Sequence, residues 1–76
     1  MSDHYRYACD VGIFTIKADT DQRRYWLEID GTPLASFALP ELAAKAVRRH
    51  ETGWRPWDEL KGRADGPARL SDWTRG

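Results

Sequence analysis

Cys9 and His50 are the side chains in this sequence with the makings of a nucleophile and its base. A reactive thiol needs an imidazole within reach, a group that orients the imidazole, and donors for a developing oxyanion. Nothing around Cys9 or His50 supplies the last two, and cysteine is among the most frequently buried residues. The pair therefore reads as a structural thiol and a packed imidazole, and no catalytic residues are expected. Metal chemistry meets the same obstacle. His4, Cys9 and His50 are the available thiolate and imidazole ligands, with neither a Cys-x-x-Cys pair nor histidines at ligand spacing. Asp19-Thr20-Asp21 opens like a calcium loop. Its sixth position is Arg24 and its twelfth Asp30, where such a loop requires glycine and glutamate. The glycines are scattered and form no phosphate-binding pattern. No metal and no cofactor are expected.

The unusual chemical resource is aromatic. Four tryptophans occur in 76 residues, and Trp54, Trp57 and Trp73 follow the only long helical pattern. Indoles are enriched at binding hot spots and can stack on bases, but a small domain also needs them to fill its core. That second use is assigned to Trp54 and Trp57. Trp26 is different, because it alternates with the apolar residues around it. It sits close to Arg23 and Arg24, which gives a small cationic and aromatic surface. Trp26, Arg23, Arg24 and an uncovered Phe37 are the candidate partner-binding residues.

Composition sets the frame for these groups. A chain of 76 residues is one domain with a thin core, and its length implies a stability of about 4–11 kcal/mol. The apolar fraction of 41% and charged fraction of 32% suit a folded chain with a solvated surface. A single cysteine forms no internal disulfide. No apolar run is long enough to span a membrane, and Met1–Arg6 lacks the apolar stretch of a signal peptide. A cytoplasmic location is expected. Net charge is zero but unevenly spread: residues 1–44 carry 4 basic and 7 acidic side chains, net −3, and residues 45–76 carry 8 and 5, net +3. The positive half is free to meet an anionic partner or the first half of its own chain.

Three strands must position the candidate residues. Residues 5–18 read as extended, with Tyr5, Tyr7, Cys9 and Val11 in one phase and Phe14 and Ile16 in the other. Gly12, at the phase change, predicts a bulge or bend. Asp19-Thr20-Asp21-Gln22 has the short polar side chains of a turn. Residues 24–30 put Tyr25, Leu27 and Ile29 on one face and Trp26 and Glu28 on the other. Asp30-Gly31 then signals a hairpin leading to a strand over 33–38. A two-residue loop would pair Leu27 with Leu34. A three-residue loop would pair Leu27 with Ala35 and set Phe37 beside Tyr25. The longer loop is favoured because it buries Phe37.

Pro40 opens a helix over 40–52, with Leu42, Ala43, Ala46, Val47 and His50 as its inward stripe. Gly53 is expected to end it. The irregular Trp-rich segment 54–76 is expected to fold back at Trp54–Leu60, with short turns at Pro56–Leu60 and Ser71–Trp73, and to fray from about Arg75. If it wraps the open face of the sheet, it covers Trp26; otherwise Trp26 is a partner contact.

Arg24 to Val47, with Phe37 and Pro40-Glu41-Leu42-Ala43-Ala44 at its centre, resembles plant AP2-type DNA-binding domains and related recombinase arm-binding domains. That resemblance implies a sheet that reads the major groove, with Arg23, Arg24 and Trp26 as the matching strand residues and Lys17 alone on the preceding strand. The fold class expected is α+β: a three-stranded antiparallel sheet with one helix packed on one face. The function expected is that of a small accessory or adaptor protein bound to an unidentified protein. Nucleic-acid binding through Arg23, Arg24 and Trp26 is the alternative, a homodimer is a further possibility, and no membrane role is expected.

Overall fold

The computed structural model describes residues 4–75 and shows a small α+β fold. Met1–Asp3 and Gly76 lie outside the described residues, and with them part of the leader reading and the end of the expected frayed tail. The elements are β1 (Tyr5–Cys9), β2 (Gly12–Asp19), β3 (Arg24–Ile29), β4 (Thr32–Phe37), α1 (Pro40–Arg48), a single turn α2 (Arg55–Asp58), a 3-10 turn (Leu70–Asp72) and β5 (Thr74–Arg75). The sheet is antiparallel with order β4-β3-β2-β1-β5. It has five strands where three were expected, for two reasons.

The first is that residues 5–18 are a hairpin and not one bent strand. Cys9 pairs with Gly12 across a two-residue turn, so Tyr7 faces Phe14 and Tyr5 faces Ile16. Such a turn pairs odd-numbered with even-numbered residues, which is the phase change seen in the sequence. Gly12 has φ 147°, and a Cβ there would lie 2.7 Å from the Asp30 carboxylate. That carboxylate takes the Ile13 N–H at 3.0 Å, which ties the first hairpin turn to the second. The second reason is Arg75. It belongs to β5 opposite Tyr5, with its guanidinium 5.7 Å from the Tyr5 ring centre, so the expected fraying there is corrected.

The three-residue loop favoured for the β3–β4 hairpin is corrected, although the facing it was meant to explain is found. The loop is the two-residue one, Asp30-Gly31 with φ 48° and 87°, and Ile29 pairs with Thr32. A bulge at Leu34 then shifts the register, so Leu27 faces Ala35 and Phe37 faces Tyr25. The facing anticipated from a longer loop is therefore reached by a different route.

Helix α1 buries Pro40, Ala43, Ala44 and Val47 on the sheet. The inward stripe is rotated from the expected one: Ala44 is buried, and Leu42 is 45% exposed. The helix also ends earlier than Gly53. His50 takes the left-handed conformation at φ 56°, its N–H bonds to the Val47 carbonyl at 3.1 Å, and the Glu51 N–H bonds to Ala46 at 2.9 Å. These two bonds form a Schellman cap. A left-handed non-glycine residue costs about 1–2 kcal/mol. The His50 ring offsets it by stacking on Trp57 at 4.6 Å and 13°.

The C-terminal segment folds onto the inner face, as expected for Trp54–Leu60. Trp57 and Trp73 are buried with Phe14, Ile16, Leu27 and Val47, and Trp54 packs against them. The Asp58 carboxylate accepts the Thr52 N–H (3.0 Å), the Thr52 hydroxyl (2.7 Å) and the Gly53 N–H (2.9 Å), which locks the link between the two helices. No helix among the described residues is long and apolar enough to cross a membrane. Asp58→Ala should lower stability by about 2–3 kcal/mol, because it removes the acceptor of the N–H and hydroxyl of buried Thr52. Urea denaturation checks this.

Candidate functional site

Both helices and all three C-terminal tryptophans pack on one side of the sheet. The other side carries the alternate strand residues, and Trp26 stands there on β3, near the β2–β3 turn. Its cross-strand neighbours are Lys17 on β2 and Ser36 on β4. Toward the far end of the same face lie Arg6, Ala8, Ile13 and Thr74 around a shallow hollow of about 190 Å³. Ile13 is 47% exposed. Sequence reading did not single it out, although its phase opposite Phe14 and Ile16 marks it as outward.

Asp19 organises this surface. One carboxylate oxygen accepts the N–H groups of Asp21 (3.1 Å) and Gln22 (3.2 Å), which closes the β2–β3 turn. The other accepts the Trp26 indole N–H at 3.3 Å. The indole is thereby held in place and half-buried, with its ring fixed against the sheet. The turn appeared in the sequence as a cluster of short polar residues, but the bond from Trp26 depends on strand pairing.

Arg24 lies opposite Asp19 in the ladder, and Arg23 sits in the turn at φ 55°. Both are exposed and line a groove of about 400 Å³ with Tyr25 and Leu39 at the end of the sheet. The structure thus brings Trp26, Arg23 and Arg24 around one turn. Phe37 is separated from them. It faces the helix side, half-buried beside Tyr25, and lines a different groove with Leu42 and Ala46.

Cys9 and His50 are not joined by a hydrogen bond among the described residues. The Cys9 thiol donates to the Gly12 carbonyl at 3.2 Å within its own hairpin, and His50 lies under Trp57. Among the described residues no three His, Cys, Asp or Glu side chains gather as a metal site. Tyr7 is the titratable group with a resolved perturbation. Burial raises its pKa above the ordinary 10.0, and coulombic interactions with Cys9, Asp10 and Asp65 act in the same direction. Its hydroxyl donates to the Asp65 carbonyl at 3.3 Å.

No family model, curated protein or solved structure matches the chain. Residues 24–47 fold here as β3, β4 and α1 inside a five-stranded sheet.

A raised tyrosine pKa favours the folded state at lower pH. The stability Tyr7 contributes is complete below its unfolded value and is lost as pH rises through its folded one. In an alkaline absorbance titration Tyr7 should ionise later than an unperturbed tyrosine, and Tyr7→Phe should remove that late component.

Proposed function

We propose that this protein is a non-enzymatic accessory or adaptor domain that binds another protein through the open face of its sheet, with Trp26 as the anchor. One observation carries the reading. Three of the four tryptophans pack with the core, whereas the fourth stands on the uncovered face with its indole N–H held by Asp19. A rigid aromatic flanked by short and charged side chains contributes contact area with little ordering entropy, which is what an interface anchor needs. Lys17 and Ser36 supply polar groups beside the ring, and exposed Ile13 extends the apolar surface toward β1.

Nucleic-acid binding through the same face is the second reading, favoured by Arg6, Lys17 and Arg24 on the Trp26 side. Asp19 and Glu28 oppose them there. The balance is small beside the cationic excess usual for phosphate-led binding. A two-fold dimer is a third use of the same surface.

Trp26→Ala should remain folded by circular dichroism and lose the partner that wild type retains in affinity capture. Capture of the same partner by the variant would contradict the proposal. Binding to duplex DNA that falls steeply with salt would favour the second reading. Concentration-dependent sedimentation abolished by Trp26→Ala would favour the third.

A further inference from the structure

Among the described residues no ion pair joins the negative half of the chain to the positive half. Both ion pairs among the described residues, Arg48–Asp65 at 3.5 Å and Arg55–Glu59 at 3.2 Å, lie within the positive half. In the negative half, Asp19 and Asp30 are engaged with backbone N–H groups. Lys45, Arg49 and Arg69 are exposed and form no ion pair among the described residues.

These three cations meet at a groove of about 430 Å³ between α1 and the 68–70 segment. Ala44 is buried and Leu70 half-buried at the groove, giving it an apolar floor. Lys45, Arg48, Arg49 and Arg69 form its rim, and Glu41 is the one carboxylate that lines it. The groove belongs to the helix layer, across the sheet from Trp26.

We infer that this groove docks an acidic segment of a partner protein, with carboxylates on the cationic rim and one apolar side chain on the floor. The charge complementarity is specific to the groove, since the chain as a whole is neutral. The floor is aliphatic and the groove has no aromatic ring on which a base could stack, which favours a peptide side chain over a nucleic acid. The inference is independent of the Trp26 face, and together the two surfaces would let one small domain join two partners.

The test uses fluorescence anisotropy on the full chain with three labelled probes: a short peptide of Asp and Glu around a central Leu, the same peptide with Ser for Leu, and a single-stranded oligothymidylate. The Leu peptide should bind about tenfold more tightly than the Ser peptide. Lys45→Gln with Arg49→Gln should weaken it about tenfold, and Arg69→Gln should weaken it independently. Trp26→Ala should leave it unchanged. The inference is overturned by no binding of the Leu peptide, by equal binding of both peptides, by tighter binding of the oligonucleotide, or by charge variants that bind like wild type while folded by circular dichroism.

Discussion

The indole of Trp57 is where helix, sheet and C-terminal segment meet. Its N–H donates at 2.9 Å to the Val47 carbonyl at the end of α1, which also accepts the His50 N–H at 3.1 Å. Its ring meets Phe14 of β2 edge-on at 5.4 Å, approaches Tyr7 of β1 at 6.2 Å, and lies flat against His50. One residue thus adds a second donor to the capped end of α1 and fills the inner face. The left-handed turn at His50 and the Asp58 clasp on Thr52 and Gly53 both serve to deliver this ring. A core this small has few other large buried side chains to share the load.

That arrangement decides what the other face presents. The mass of the C-terminal segment is committed to the inner side, where Trp73 also packs near Tyr7 at 5.7 Å. The outer side is left with strand residues, and among them Trp26 is the large aromatic. Asp19 couples it to the β2–β3 turn, so anchor position and turn geometry are set by one carboxylate. The exposed side of α1 keeps cations that form no ion pair among the described residues, for a related reason. The segment that crosses the helix brings Asp65 to Arg48 and no carboxylate to Lys45 or Arg49.

Local signals were legible in the sequence, and long-range ones were not. The Asp30-Gly31 turn, the Pro40 helix start and the facing of Trp26 follow from residue chemistry within a few positions. Gly12 announced a change of phase but not its nature, because bulge and reversal give the same alternation; the Asp30 carboxylate beside it belongs to another hairpin. The bulge at Leu34 serves two demands at once, a two-residue turn and a Phe37 that faces the helix side beside Tyr25. Leu42 was expected inside on hydrophobicity and is exposed; Ala43 and Val47 are buried as expected, and small Ala44 joins them, which lets the helix lie close to Phe14 and Leu27. His50 ends the helix through a stacking partner seven residues away, and glycine preference alone pointed to Gly53. For the candidate site, the sequence marked Trp26, Arg23 and Arg24 together but could not separate Phe37, whose face depends on the bulge.

The dependence on Trp57 is tested most directly by comparing two conservative substitutions, Trp57→Phe and Trp26→Phe, in equilibrium urea unfolding. Trp57→Phe removes the bond to Val47 and opens space beneath His50. It should cost about 2–4 kcal/mol, a large part of the total stability. Trp26→Phe removes a half-exposed contact and should cost about 1 kcal/mol or less. Equal losses for the two, or a Trp57→Phe variant as stable as wild type, would contradict the account.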